Sequence, residues 1–189
     1  MNIKITGIGY YLPENIETSE QLSKKINKST DWIISRTGVK ERRISDIDVD
    51  KMGALAAKSA LKDSNSTPNL ILNASGVGKQ VIPDTSVFIQ RELGYNGIPS
   101  FSIHSTCLSF ITAINVAGSL INSKMYNNIL IVSSDRGTRG RNFNEPESAA
   151  LLGDGAAAVV IEKTPNNEES RLIDFTMNTW PIGAHLTEV

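Results

Sequence analysis

Cysteine and histidine are scarce in this chain, which contains one cysteine and two histidines among 189 residues. A single cysteine excludes an internal disulfide bond. Cys107, His104 and His185 do not form a metal-ligand pattern either, because zinc sites need several Cys or His side chains at short, regular spacing. We therefore expect no metal centre.

An excess of charge of one sign and long apolar runs are also lacking. Nineteen basic side chains stand against twenty acidic ones, for a net charge of -1, so overall charge favours neither nucleic acid nor a membrane surface as partner. No apolar run approaches the roughly 18 residues that cross a bilayer. The start "MNIKITGIGYYLPEN" lacks the apolar core and cleavage site of a signal peptide. We expect a cytoplasmic protein.

Strand-like and helix-like segments alternate along the chain, which predicts an α/β layered fold with a largely buried sheet. The pattern predicts strands at "IKITGIGYYLP", "VKERRIS", "NLILNAS", "PSFSIHS", "NNILIVSSD", "LLGDGAAAVVIEK" and "SRLIDFTMNTW". It predicts helices at "SEQLSKKI" with Ser19 as N-cap, "STDWIISRTG" capped by Ser29 or Thr30, "DVDKMGALAAKSALKDS", "DTSVFIQRELG" capped by Asp84 or Thr85, and "CLSFITAINVAGSLINSKMYN".

Two of the predicted helices have informative apolar patterns. The third helix places five side chains on one face that should pack on the sheet, namely Met52, Leu55, Ala56, Ala60 and Leu61. The last helix, which begins at or near Cys107, is apolar almost all round, as expected for a buried central helix.

Cys107, in "HSTCLSF", has two interpretations. Free cysteine is often a small buried side chain, and composition alone favours that role. Its place between a strand and a helix favours a nucleophile instead, because helix N-terminal N–H groups and the helix dipole stabilise a thiolate. A tight turn there would also expose the thiol and supply a backbone N–H to an oxyanion hole. The residues themselves leave both interpretations open.

Two glycine-rich stretches lack the sequence patterns of phosphate-binding loops. "GDGAAA" at 153–158 and "GVGK" at 76–79 lack both the P-loop spacing and the Gly-x-Gly-x-x-Gly of dinucleotide folds. We interpret the first as a close backbone turn, with Asp154 as a structural hydrogen-bonding residue, and the second as a loop after a strand.

Four motifs resemble one enzyme family in the same order and at compatible spacing. "STDWIISRTGVKERR" at 29–43 is similar to the signature S-x-x-W-I-x-x-R-T-G-I-x-x-R of the beta-ketoacyl-ACP synthase III family, the thiolase-fold condensing enzymes that start fatty-acid synthesis. "IKITGIGYYLPE", "STCLSF" and "LLGDGAAAVVIE" stand where that family has its first strand, its nucleophile motif and its FGDGAGA motif. The resemblance implies one half of a thiolase-like fold, with a mixed central sheet flanked by helices.

The resemblance also implies roles for individual residues. Cys107 would accept an acyl group from acyl-CoA or an acyl carrier protein, with no further cofactor, before condensation with a malonyl-ACP-type acceptor. Trp32 would stack on the adenine of coenzyme A and Arg36 would contact it by charge, with Thr37 as a weaker candidate. Ile82 would reach across a homodimer interface to shape the partner's acyl pocket.

The sequence departs from the family around the nucleophile and before the FGDGAGA motif. Leu108 and Ser109 replace the usual Ala and Gly, so the acyl pocket should differ. The arginine expected before "LLGDG" is missing, with Pro146 and Glu147 in that region, as in the divergent branch of secondary metabolism. Acyl transfer to an oxygen or nitrogen acceptor is therefore an alternative reaction.

Length is the third departure, because family members are duplicated and about twice as long. The resemblance implies that residues 1–180 form an N-terminal domain and that residues 181–189 begin the connection to a C-terminal half. That half would supply the catalytic histidine and asparagine, since neither His104 nor His185 fits those roles. A truncated chain, a subunit of a split enzyme and a non-catalytic partner subunit all remain open.

Overall fold

The computed structural model describes residues 1–186, which form one five-stranded sheet, a separate strand pair and six α-helices. The strands are β1 (Ile3–Tyr11), β2 (Asn15–Thr18), β3 (Glu41–Ile44), β4 (Leu70–Asn73), β5 (Ser100–Ser102), β6 (Asn128–Arg136) and β7 (Asp154–Lys163). The helices are α1 (Ser19–Ile26), α2 (Thr30–Thr37), α3 (Val49–Ser64), α4 (Thr85–Leu93), α5 (Ser109–Asn122) and α6 (Pro146–Ala149), with short 3-10 helices at Gly137–Gly140 and Pro181–Leu186.

The main sheet is mixed and has the strand order β1-β7-β6-β4-β5. The strands β5, β4 and β6 are parallel, whereas β7 runs antiparallel to both of its neighbours, β6 and β1. The carboxyl ends of β4, β5 and β6 therefore meet at one edge of the sheet, which is where α/β proteins usually place their functional groups. The predicted α/β fold with a mixed sheet is confirmed.

Each face of the sheet carries its own apolar core, because side chains alternate along the central strands. Ile71 and Leu130 belong to the cluster on the side of α3 and α4. Leu72 and Ile131 belong to the cluster on the side of α5. The sheet is thus covered by helices on both faces, which explains why β4 and most of β6 read as continuous apolar runs.

Glycine lets β1 approach α3 more closely than any other residue could. A Cβ atom on Gly7 would lie 2.2 Å from the carbonyl oxygen of Ala60, and one on Gly9 would lie 2.2 Å from that of Ala56. The two glycines of the motif "TGIG" therefore allow the strand to pack tightly on the helix.

Most helix ends follow the sequence prediction. Ser29 caps α2 and Asp84 caps α4, and Gly38 and Gly94 end these helices in the left-handed conformation. The cap of α1 differs, because Thr18 accepts the capping hydrogen bond while the hydroxyl of Ser19 donates to the carbonyl of Val39 at 2.7 Å. Ser19 is the first residue of the helix.

Several other predictions are corrected. Leu55 is 42% exposed, so it lies at the edge of the apolar face of α3. The helix α5 is not buried all round, since Ile111 is 52% exposed. The sequence prediction missed β2, because its four residues, "NIET", include only one apolar side chain.

The predicted last strand "SRLIDFTMNTW" does not form. Leu172 exchanges two backbone hydrogen bonds with Met1, at 2.8 and 2.9 Å, but no strand follows. Ile173 is 86% exposed. Apolar residues alone did not make a strand here, because a strand also needs a neighbouring backbone to pair with along its length.

The predicted connection at 181–189 lies partly outside the described residues, which end at residue 186. Within residues 1–186, no helix is long and apolar enough to cross a membrane.

Candidate functional site

Cys107 lies in a tight turn between β5 and α5 and is exposed. Thr106, immediately before it, has φ +50°, a left-handed conformation that a β-branched residue seldom adopts. The backbone consequently bends sharply and presents the thiol at the surface. The prediction that a helix begins near Cys107 is confirmed, with Ser109 as its first residue.

Ser109 fastens this turn from the helix side. Its Oγ accepts the backbone N–H of Ser105 at 2.9 Å and donates to the carbonyl of Thr106 at 2.7 Å. The side chain is almost completely buried, at 1% exposure. Ser109, which replaces the glycine expected from the family pattern, therefore closes the turn around Cys107.

The N-terminus of α5 is next to the thiol. Leu108 occupies the N-cap position and makes no side-chain hydrogen bond to the helix. A helix N-terminus carries a partial positive charge, and here no polar side chain at the cap screens it. The turn therefore places Cys107 beside a group that stabilises negative charge.

A buried polar network ties together the strand ends beneath the turn. Asn73 Nδ2 donates to Ser102 Oγ at 2.8 Å, and Ser75 Oγ donates to Asn73 Oδ1 at 2.7 Å. The backbone N–H of Ser134 then donates to Ser75 Oγ at 2.9 Å. Because satisfied buried networks are rigid, β4, β5 and β6 form a firm base for the cysteine turn.

Asp135, near the end of β6, was missed by the sequence prediction. Its Oδ1 accepts the N–H of Val77 at 2.7 Å. Burial raises the pKa of Asp135 above its ordinary value, although hydrogen bonds from Val77, Gly76 and Ser133 act in the opposite direction. The available signal was an acidic residue near the carboxyl end of an apolar strand.

Trp32, Arg36 and Thr37 lie on α2. Trp32 is partly buried against a small core that includes Ile33 and Ala149, and Lys28 Nζ lies 5.3 Å from the centre of its ring. Arg36 is exposed, one helical turn further on. The hydroxyl of Thr37 donates to the carbonyl of Ile33 at 2.7 Å and accepts the N–H of Val39 at 3.0 Å, so it stabilises the end of α2.

Ile82 lies at the tip of the loop between β4 and α4 and is 84% exposed. The base of this loop is held by Lys79, whose Nζ lies 2.8 Å from Oδ2 of the fully buried Asp50 and 3.2 Å from Asp48. The loop after β4 was correctly predicted from "GVGK". Its apolar tip is thus presented to the surroundings on an anchored base.

The arginines closest in sequence to the expected coenzyme A contact are engaged elsewhere. Arg139 lies 3.5 Å from Asp48, and Arg141 lies 2.5 Å from the buried Glu17. At the expected position, Pro146 begins α6. The structure therefore offers neither of these two arginines in place of the missing one.

Asp154, in "GDGAAA", has the structural role predicted for it. Its carboxylate accepts the N–H of Ser45 at 2.7 Å, and both the N–H and the hydroxyl of Thr138, at 2.9 and 2.7 Å. It joins the start of β7 to two neighbouring segments. Within residues 1–186, no group of three or more His, Cys, Asp and Glu side chains could hold a metal ion.

Of the predicted site residues, the structure brings Cys107 and Leu108 into one turn, where Leu108 is 49% exposed. It brings Trp32, Arg36 and Thr37 onto one helix, and it places Ile82 on a separate loop.

Comparison with known proteins agrees with this geometry. Residues 101–181, which include the cysteine turn, match the family of 3-oxoacyl-[acyl-carrier-protein] synthase III. The chain is 34% identical over 173 residues to a beta-ketoacyl-[acyl-carrier-protein] synthase III of Aquifex aeolicus, with 89% of this chain and 56% of that relative covered. It thus spans about half the length of the curated relatives it matches.

Solved structures have the same fold. A crystal structure of the 3-oxoacyl-[acyl-carrier-protein] synthase III from Aquifex aeolicus matches with a TM-score of 0.83 at 34% identity, over 87% of this chain and 55% of that one. A priming beta-ketosynthase of the R1128 polyketide pathway matches with a TM-score of 0.81 at 27% identity, over 86% of this chain and 50% of that one. The chain has a thiolase-like fold and is similar, over about half of their length, to proteins of the beta-ketoacyl-ACP synthase III family.

Proposed function

We propose that the chain is the acyl-accepting, N-terminal half of a condensing enzyme, with Cys107 as nucleophile. The sulfur would attack the carbonyl carbon of an acyl-CoA or acyl-ACP thioester. A new carbon–sulfur bond to Cys107 forms, the bond to the donor sulfur breaks, and the donor leaves as a free thiol with the proton. Negative charge on the carbonyl oxygen would be stabilised by the N-terminus of α5.

The exposed cysteine at the sharp turn before α5 carries this proposal. A cysteine that served only as a small buried side chain would need neither the left-handed conformation of Thr106 nor the two hydrogen bonds of Ser109 that close the turn. Exposure, a strained turn and an adjacent helix N-terminus are together typical of a nucleophile. The match over residues 101–181 covers this same turn.

The second step would be carbon–carbon bond formation with a malonyl-ACP-type acceptor. The similar proteins are named a beta-ketoacyl-[acyl-carrier-protein] synthase III in Aquifex aeolicus and a priming beta-ketosynthase in the R1128 pathway, and both names favour condensation over acyl transfer to oxygen or nitrogen. The histidine and asparagine for this step would come from a C-terminal half. Leu108 and the exposed Ile111 on α5 would lie against that half or the acyl chain.

We also propose a homodimer and a coenzyme A site. The exposed tip at Ile82 supports a contact with a second copy, since Val81 and Ile82 together present two exposed apolar side chains on an anchored loop. Trp32 and Arg36 support binding of the adenosine end of coenzyme A, by stacking and by charge respectively.

Intact-protein mass spectrometry tests the nucleophile. We expect incubation with an acyl-CoA to add one acyl mass to the wild-type chain and none to Cys107→Ala, with or without a C-terminal half present. An adduct that persists in Cys107→Ala would contradict the assignment, and so would a folded wild-type chain that gains no adduct even with that half. Sequencing the DNA after the codon for Val189 would show whether that half follows in the same frame or is encoded separately.

A further inference from the structure

Thr106 must be held in place, because its left-handed backbone is strained in a residue that is not glycine. Ser109 holds the turn from the side of α5. Contacts from the sheet side are needed as well, since a strained conformation persists only where its surroundings determine it.

Gly76 lies near the cysteine turn on the sheet side. A Cβ atom on this residue would lie 3.9 Å from the carbonyl oxygen of Thr106 and 3.4 Å from Oδ1 of Asp135. The space beside Gly76 is therefore bounded by the cysteine turn and by the carboxylate of Asp135. The next residue, Val77, donates its N–H to the same oxygen at 2.7 Å.

We propose that Asp135 is a positioning residue for Cys107. By accepting the N–H of Val77, its carboxylate holds the Gly76–Val77 segment beside the carbonyl of Thr106 and so limits the directions in which the thiol can point. Asp135 does not touch the reacting atoms. This inference depends on the proposed function, because it assigns a purpose to the geometry of the acylation step.

Two substitutions at Asp135 test the role. Asp135→Ala removes the acceptor, and we expect the single-turnover rate of Cys107 acylation at saturating acyl-CoA to fall roughly 10- to 100-fold, as for a nucleophile displaced by about 1 Å. The half-saturating concentration of acyl-CoA should stay within twofold. Asp135→Asn keeps an oxygen that accepts the N–H of Val77 and should retain a rate within about threefold of wild type.

A second route leaves Asp135 unchanged. Gly76 has no left-handed backbone, so valine can be accommodated there, but its methyl groups would press between Asp135 and Thr106. Gly76→Val should therefore slow acylation by a similar factor. Gly140→Val is the matched control, because nothing lies within 4 Å of its Cβ position.

Asp63→Ala is the control for loss of a carboxylate. Asp63 lies on α3 and likewise accepts a backbone N–H, that of Ile8, at 3.0 Å. It should leave the acylation rate unchanged. An unchanged rate in Asp135→Ala or in Gly76→Val overturns the inference, as does a rate in Asp135→Asn as low as in Asp135→Ala. If the wild-type chain itself is not acylated, the proposed function fails instead.

Discussion

At the scale of single residues, Trp32 and Arg36 are the two side chains of the proposed coenzyme A site. They lie one helical turn apart on α2, so an indole face and a guanidinium project from the same side of the helix. Trp32 is supported from below by the core around Ile33, while Arg36 is free in solvent. Because the arginine expected before "LLGDG" is missing, the proposed site depends on these two side chains for most of its adenosine contact.

The double substitution Trp32→Ala with Arg36→Ala should therefore weaken binding of acyl-CoA. We expect the half-saturating concentration for Cys107 acylation to rise about tenfold or more, since a stacking contact and a charged hydrogen bond each contribute about 1 kcal/mol. The half-saturating concentration of an acyl-pantetheine thioester, which lacks the adenosine end, should be the same for the double variant and for wild type. Acylation rates measured over a range of both donors provide the comparison.

The control pair is Trp180→Ala with Arg171→Ala, which also removes an exposed indole and an exposed guanidinium. This control should change neither the half-saturating concentration of acyl-CoA nor that of the acyl-pantetheine thioester. Equal half-saturation of the double variant and wild type by acyl-CoA would exclude the adenine-site assignment.

At the scale of secondary-structure elements, a buried ion-pair network centred on Glu17 stabilises the packing of β2 and α1. Glu17 on β2 has a side chain only 7% exposed and accepts hydrogen bonds from Lys25 Nζ on α1 at 2.6 Å and Arg141 Nη1 at 2.5 Å. Burial raises the pKa of Glu17, but these two hydrogen bonds outweigh it and hold the pKa below its ordinary value of 4.5. The network links β2 and α1 to the segment after β6.

Glu17→Gln should destabilise the fold by about 3 kcal/mol at pH 7, because it leaves the buried guanidinium of Arg141 without its charge partner. A carboxylate with a lowered pKa stabilises the folded state above its unfolded pKa. That stability is lost as the pH falls through the lower, folded value. The difference in the free energy of unfolding between wild type and Glu17→Gln should thus have its full size near pH 7 and decrease below about pH 4.5.

Urea denaturation at several pH values measures this difference. Glu14→Gln is the control, since Glu14 is exposed in the turn between β1 and β2. A difference between wild type and Glu17→Gln that stays constant from pH 7 to pH 3 would contradict the assigned role of the charge.

At the scale of the whole molecule, the two sides of the sheet differ in how well they are covered. On one side, α3 and α4 enclose a core that includes Met52 and Ile89, both completely buried. On the other side, α5 buries one face but leaves Leu108 and Ile111 about half exposed. We infer that these two exposed apolar side chains are covered by a further layer of protein.

The chain alone should therefore associate through α5. We expect sedimentation velocity to show concentration-dependent association of the wild-type chain and less association of Ile111→Glu. Because Ile111 is the third residue of α5, a glutamate there is favoured by the helix dipole, and stability should change by less than about 0.5 kcal/mol.

Val87→Glu is a closely matched control, because Val87 is the third residue of α4, is 46% exposed and lies on the other side of the sheet. It should associate like wild type. A wild-type chain that remains monomeric at every concentration would show that α5 needs no covering layer.

How far the sequence predicted the site depended on whether a residue acts through local or distant neighbours. Ser29 and Asp84 were predicted as caps because capping involves residues two or three positions away. Asp135 was not found, because its partner Val77 is 58 residues distant and no local pattern records the pairing. Leu55 and the failed last strand have the same explanation, since exposure and strand pairing depend on segments far along the chain.

The sequence by itself determined the α/β layering, the strand-to-helix position of Cys107 and the family resemblance, because apolar period, turn residues and motifs are local properties of the chain. Only the tertiary structure decided that the thiol is exposed, that Ser109 closes the turn by two hydrogen bonds, and that Ile111 on α5 is exposed. These features arise where β4, β5 and β6 end together, and that meeting point exists only once the parallel strands have paired.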